Sequence, residues 1–231
     1  SNKCPINSYV RKNIGYLLAM KNGAEVIVET DDDNYPRNSF FKKKFLKHKT
    51  KEIDNNSWVN IYNLFLKKKL IIWPRGLPLD EINSSKIRLK KSVIGDFYLQ
   101  QGVCDGNPDV DAIYRLINKN ININFKKNYK ISLGNSISTF NSQNTVWFKN
   151  IFPLLYLPVT CSMRYTDILR SLVARKILKN NNNKILFFGT TMYQNRNYHD
   201  LIEDFKQEFE MYLKNKKIFN FLDKLKIEKG S

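Results

Sequence analysis

Cysteine is scarce in this chain: three residues in 231, Cys4, Cys104 and Cys161. An odd number at wide separations is neither a disulfide framework nor a zinc-ligand pattern, and it suits a reducing compartment. The expected location is therefore cytoplasmic, or the Golgi lumen for a chain that has lost an N-terminal anchor. Histidine is scarcer still, with only His48 and His199. No apolar run approaches the ~20 residues needed to span a bilayer. No signal peptide is visible, and the chain opens on Ser1 rather than Met, as a fragment or a processed product does.

Acidic residues are also few, 21 against 39 lysines and arginines, which leaves a formal net charge of +18. Such a balance raises nucleic-acid binding as one reading. The lysines are spread along the whole chain, as in "KKKFLKHKTK" (42–51) and "LKNKKIF" (213–219). That distribution reads as solvated surface, and no nucleic-acid motif accompanies it. A hydrophobic content of 42% is enough for a real core.

The pattern predicts an α/β chain. Residues 9–22 have helical spacing and stop at Gly23, and 24–30 read as a buried strand around Val26, Ile27 and Val28. Residues 35–51 read as a basic loop, 58–69 as a short helix and 71–79 as extended or turning. Strand character is expected at 93–103, 121–125 and 131–133. "KILFFGTTMY" (184–193) reads as a buried strand. Two amphipathic helices are expected, 166–178 with Ile168, Leu169, Leu172, Val173 and Ile177 inward, and 201–213 with Leu201, Ile202, Phe205, Phe209 and Tyr212 on one side. There is no internal repeat and no linker. One domain over 1–215 with a basic tail over 216–231 is the organisation expected.

Against this charge, "EVIVETDDDN" (25–34) stands out. Adjacent carboxylates repel, so three in a row belong in water, at a helix cap or around a cation. These three follow a strand, and in open α/β sheets ligands bind beyond the carboxyl ends of strands. "DGNPDVDAIYRL" (105–116) holds Asp105, Asp109 and Asp111. They can hydrogen-bond sugar hydroxyls or approach a metal, or they can be ordinary turn and N-cap residues. "WPRGLPL" offers Trp73 for stacking on a ring and Arg75 for a phosphate, or Trp73 is simply core.

The helix, strand and aspartate run resemble the metal-binding "DxD" signature of nucleotide-sugar glycosyltransferases of the GT-A fold. Seven segments extend the likeness: 9–34, "IIWPRGLPLD" (71–80), "QGVCDGNPDVDAIYRL" (101–116), "FNSQNTVWF" (140–148), "FPLLYLPVT" (152–160), "RYTDILRSLVARKIL" (164–178) and "YQNRNYHDL" (193–201). In that order they resemble the STELLO family of glycosyltransferases. A fainter similarity runs to the reversibly glycosylated polypeptides, which are UDP-arabinopyranose mutases.

The resemblance implies a GT-A-like, Rossmann-like mixed sheet flanked by helices. It implies a nucleotide-sugar donor, a UDP-sugar, a glycan or other hydroxyl acceptor, and Mn²⁺ or Mg²⁺ as cofactor. A divalent cation neutralises the leaving diphosphate as a Lewis acid. Asp31 and Asp33 are then the metal carboxylates, with His199 as a third ligand, and Asp32 turns toward ribose or sugar. Asp167, at a helix start, is the general base or acceptor anchor, with helix capping as its plainer reading. Arg164, Arg170 and Arg196 hold phosphate. One departure stands out: only about 24 residues precede the aspartate strand, and most of them are helical. The first nucleotide-binding unit of a GT-A domain is thus expected to be truncated, which keeps open a non-catalytic interaction module as the alternative.

Overall fold

The computed structural model describes residues 8–83, 87–118 and 120–227. A single turn of 3₁₀ helix (Tyr9–Arg11) leads into α1 (Lys12–Lys21). Gly23 ends that helix at φ +78°, and Ala24 N donates to Ala19 O across the end. A residue without a Cβ takes the left-handed conformation freely, so the stop expected at Gly23 is the one found.

Among the described residues ten strands follow, in two sheets. They are β1 (Val26–Thr30), β2 (Asn34–Pro36), β3 (Lys47–Ile53), β4 (Leu89–Asp96), β5 (Leu99–Gly102), β6 (Asp105–Gly106), β7 (Lys130–Ser132), β8 (Asn144–Phe148), β9 (Ile185–Phe188) and β10 (Met192–Gln194). The main sheet has seven strands in the order β1-β8-β5-β9-β7-β3-β4. It is mixed: β5 runs parallel to β9 and β7 to β3, and the other neighbours are antiparallel. The helices are α1, α2 (Tyr62–Phe65), α3 (Ala112–Ile117), α4 (Thr166–Asn180) and α5 (Leu201–Lys224). A central mixed sheet flanked by helices is the architecture the resemblance implies.

The core lies on this sheet, with Leu99, Trp147, Ile131, Leu186 and Phe187 closed to solvent. A second sheet has three strands in the order β2-β10-β6. β10 pairs antiparallel with β2 and parallel with β6, so Gln194 lies opposite both Asn34 and Gly106. This small sheet clamps the chain just after the aspartates to two segments far away in sequence. Lys47, Lys49 and Lys51 alternate outward along β3, as solvated lysines do. Among the described residues no helix is long and apolar enough to cross a membrane.

Several expectations are corrected. The basic loop at 35–51 contains β2 and most of β3, and the stretch 93–103 is two strands rather than one. The helix expected at 58–69 is a single turn, α2. Residues 121–125 make only isolated bridges, Ile123 to Gly106 and Phe125 to Leu66. β1 is an edge strand, and its buried positions are Ile27 and Glu29, with Val26 and Val28 only half-buried. α5 runs past residue 215 to Lys224, and Phe219 packs edge-on against Trp58, so this stretch is docked rather than peripheral. Residues 228–231 of the expected tail, and Cys4, lie outside the described residues.

The helix faces also differ. In α4, Ile168 and Leu172 are inward as expected, but Asp167, Arg170 and Arg175 are buried too and Val173 is exposed. In α5 the buried stripe is Asp204, Glu208, Met211 and Asn215, while Ile202 and Phe209 face out. The spacing of four, three and four keeps these residues on one face. That face is polar because it meets arginines, as the site shows.

Candidate functional site

A cleft of about 960 Å³ opens beyond the end of β1. That is the size of a cofactor or nucleotide site. Seven parts of the chain line it: the start of α1, the aspartate run, Arg75, Asp109, the 141–143 loop before β8, the start of α4, and the segment from Gln194 to His199. Nine of the twelve residues expected at a site converge here: Asp31, Asp32, Asp33, Arg75, Asp109, Arg164, Asp167, Arg196 and His199.

The three aspartates differ in environment. Asp32 is exposed. Asp31 keeps 27% of its side chain in solvent and accepts from Lys12 Nζ at 2.6 Å and Tyr9 Oη at 2.9 Å, both through Oδ1. Burial raises its carboxyl above the ordinary value, and Lys12 and Tyr9 only partly oppose this. Asp33 is 8% exposed. Its Oδ2 accepts from Gln194 Nε2 at 2.9 Å and from Asn197 N at 3.4 Å. Its Oδ1 is buried with no hydrogen-bond partner among the described residues. A buried carboxylate oxygen without a donor is costly, and it is where a cation or a substrate donor would be satisfied.

Gln194 is itself held. Gln143 Nε2 donates to Gln194 Oε1 at 2.6 Å, and Gln194 Nε2 donates onward to Asp33. The pairing of β10 with β2 sets this row of amides beside the aspartates.

Two arginines line the same cleft. Arg164 pairs with Glu208 at 2.5 Å and lies 3.5 Å from Asp204, and Arg196 donates to Asp204 Oδ2 at 2.8 Å. Both acids stand on the buried stripe of α5, which explains its polar inner face. Burial first, and Arg164 second, lower the Arg196 guanidinium from its ordinary value. His199 Nδ1 lies 3.2 Å from Asp204 Oδ1. Burial and then Arg196 lower the imidazole, which favours the neutral ring. With Nδ1–H given to Asp204, Nε2 is left as an acceptor, the pattern of a carboxylate-oriented metal histidine. Among the described residues no three carboxylate, imidazole or thiol side chains stand close enough to hold a metal by themselves.

The floor is a buried ion cluster. Arg75 donates to both oxygens of Asp109, at 2.9 Å each, and to both oxygens of Asp167, at 3.0 and 2.9 Å. It also donates to the carbonyl of Arg164. Burial would raise the Asp109 carboxyl, but Arg75 outweighs it and holds Asp109 well below the usual carboxylate range. Arg75 is therefore a hub between two carboxylates rather than a free phosphate ligand, which corrects that expectation.

Asp167 is corrected in role. It is 2% exposed. Besides Arg75 it accepts from Ile168 N at 2.9 Å, Ser142 N at 3.4 Å and Ser142 Oγ at 3.3 Å. Two donors from Arg75 and three from elsewhere exceed the roughly four lone-pair sites of a carboxylate. No site remains to take a proton from an acceptor hydroxyl, so the geometry assigns Asp167 to positioning Arg75. The N-cap residue of α4, Tyr165, makes no side-chain cap bond, and Asp167 meets one donor of the first turn through Ile168 N. Asp167→Asn is expected to lower unfolding free energy by about 1–3 kcal/mol in urea titration. Lost turnover at unchanged stability would restore the base.

Three residues lie outside the cleft. Asp105 is buried, paired with Arg37 at 2.8 Å and accepting from Phe125 N at 2.8 Å. Asp111 caps α3 through Tyr114 N at 2.8 Å and accepts from the Trp73 indole at 2.6 Å, and burial pushes its carboxyl up to about 6. Trp73 stacks edge-on with Tyr114 in the core, so the sugar-stacking alternative does not hold. Arg170, 3% exposed, forms a two-point pair with Glu29 at 3.0 and 3.1 Å, and the Trp147 indole also donates to Glu29, at 2.5 Å. It braces β1 against β8 and α4 beneath the cleft and holds no phosphate.

Sequence reading missed Tyr9, Lys12, Asn141, Gln143 and Gln194. The polar run "NSQN" just before a buried strand was the available signal for two of them. A lysine in the first turn of a helix carries none.

A family model described as STELLO glycosyltransferases matches residues 164–231. The chain is 27% identical over 241 residues to a protein of Arabidopsis thaliana named probable glycosyltransferase STELLO2, covering 94% of this chain and 31% of that protein. It is likewise 27% identical to the one named probable glycosyltransferase STELLO1, covering 98% of this chain and 32% of that protein. The chain thus spans about a third of the length of these relatives. Over nearly its whole length this chain is similar to two proteins named probable STELLO glycosyltransferases, and the family model matches its last third.

Proposed function

We propose that this chain is the nucleotide-sugar site of a glycosyltransferase, which moves a sugar from a nucleoside-diphosphate donor, a UDP-sugar, to a hydroxyl acceptor with Mn²⁺ or Mg²⁺. The observation that carries the reading is the unpartnered, buried Oδ1 of Asp33, a residue that lines the same cleft as Arg164 and Arg196. The carboxylates suit a cation and the guanidiniums suit an anion, as a metal-bound diphosphate requires.

The residues fit the metal. Mg²⁺ and Mn²⁺ take one or two carboxylates from protein and leave other positions to phosphates and water, so a complete cage of side chains is not needed. Asp33 Oδ1 and the second oxygen of Asp31 would hold the ion, with phosphate and water in its other positions; His199 does not stand close enough to join both aspartates as a third ligand. When bound, the ion neutralises charge on the leaving diphosphate. The chain supplies the rest. Gln143 and Gln194 fix the rotamer of Asp33, and Arg164 and Arg196 are aimed by α5 to receive phosphate oxygens. Asp32, in solvent, is free to accept from a ribose or sugar hydroxyl. Arg75, held by Asp109 and Asp167, keeps the floor rigid.

Calorimetric titration with UDP, in EDTA and then in Mn²⁺, tests this. Binding is expected in both, about 10²-fold tighter with metal. Absence of binding in both would favour the non-catalytic module.

A further inference from the structure

Lys12 does not behave as a surface lysine. Its ammonium has four oxygen neighbours: Asp31 Oδ1 at 2.6 Å, Tyr9 Oη at 2.9 Å, Thr30 O at 3.0 Å and Ser142 O at 3.3 Å. A carboxylate, a phenol oxygen and two carbonyls make the kind of oxygen cage that hard cations occupy. The cage opens on the cleft, and 23% of the lysine side chain remains in solvent. The cation it holds is covalently tethered to the first turn of α1 and lies against the first of the three aspartates. Asp33, two residues on, has the orphaned oxygen.

We propose that the Lys12 ammonium is a built-in cation of this site, which holds its affinity for a free divalent ion down until a nucleoside diphosphate arrives, so that metal and nucleotide bind together. The proposal rests on the reading of the cleft as a metal–diphosphate site. A divalent ion at Asp31 and Asp33 stands within a few ångströms of a fixed positive charge. At that range the repulsion is unscreened by salt, since it is shorter than the Debye length of ~8 Å. A diphosphate reverses the sign of the interaction. Its oxygens attract both the ion and the ammonium, and a flexible four-carbon stem lets Lys12 turn from Asp31 toward phosphate. The lysine therefore converts two weak independent events into one coupled event, and coupling of this kind is reciprocal between the ligands.

The test measures Mn²⁺ binding by calorimetry or electron paramagnetic resonance, with and without UDP, on the full chain, Lys12→Met, Lys12→Gln and Asp33→Asn. In the unsubstituted chain, UDP is expected to tighten Mn²⁺ binding about 10²-fold, a coupling at the upper end of the usual range. Both neutral Lys12 variants are expected to bind Mn²⁺ alone about tenfold more tightly, by removal of one nearby charge partly screened by solvent. The UDP effect should shrink in them to about tenfold. Lys12→Gln retains a donor for the Thr30 carbonyl and serves if Lys12→Met does not fold. Mn²⁺ affinity unchanged in the folded neutral variants, while Asp33→Asn loses it, would overturn the proposal and leave the metal reading standing. No Mn²⁺ binding by any of the proteins, with or without UDP, would overturn both.

Discussion

Arg75→Ala is expected to lose about 3–5 kcal/mol of unfolding free energy at neutral pH, because it strands two buried carboxylates. Asp109 and Asp167 each take two bonds from that one guanidinium, and both are closed to solvent. Arg75→Lys should recover little, since an ammonium cannot present a planar fork to two carboxylates at once. The pH dependence follows from sign. In the intact protein Arg75 overcomes burial and depresses the Asp109 carboxyl. The stabilisation is therefore present above the unfolded carboxylate value of ~3.9 and is lost only as pH falls through the lower folded value. In Arg75→Ala burial is opposed only by the smaller influences of Arg164 and Asn141, so the Asp109 carboxyl is expected to rise above its unfolded value and the folded variant to bind that proton more tightly than its unfolded chain. The variant should gain stability as pH falls from 7 toward 4. The gap between the two proteins should narrow over that interval in urea titrations. A constant gap would mean that Arg75 stabilises through packing, not through the carboxylates.

Asp33→Asn is expected to weaken UDP binding in Mn²⁺ about 10²-fold, and to reduce any sugar transfer by about 10²–10³-fold, the scale of losing one electrostatic group aimed at developing charge. Asparagine keeps the shape of the side chain, and its carbonyl can still accept from Gln194 Nε2. It removes a charge whose Oδ1 is buried without a partner. Metal-free stability should therefore hold or rise by about 1 kcal/mol, as is common where a site residue is strained for function. Thermal melts in EDTA and titrations in Mn²⁺ read the two effects separately. Lower stability with unchanged nucleotide affinity would assign Asp33 to the fold and remove it from the metal site.

Much of the frame is local and was legible in residue order. The helix after Tyr9, its stop at Gly23, the strand before the aspartates and the helix from Thr166 follow from periodicity and turn chemistry within a few residues. The aspartate run at a strand end was a valid pointer to the cleft, and nine expected residues meet there. What failed to read were the buried charges. Periodicity reveals a buried face only when that face is apolar, so Arg170, Glu29 and the Asp204–Glu208 stripe of α5 looked like surface. Their burial depends on partners brought together by the fold: Arg170 on Glu29, 141 positions away, and Arg75 on Asp109 and Asp167, 34 and 92 away. A window of local sequence contains one member of each pair, and a lone arginine or aspartate there is indistinguishable from a solvated one. The sequence by itself therefore determined the elements and the aspartate cluster at the mouth of the sheet. The tertiary structure alone decided which charges line the cleft and which are buried struts, because a charge can be buried only where another segment supplies its counter-ion.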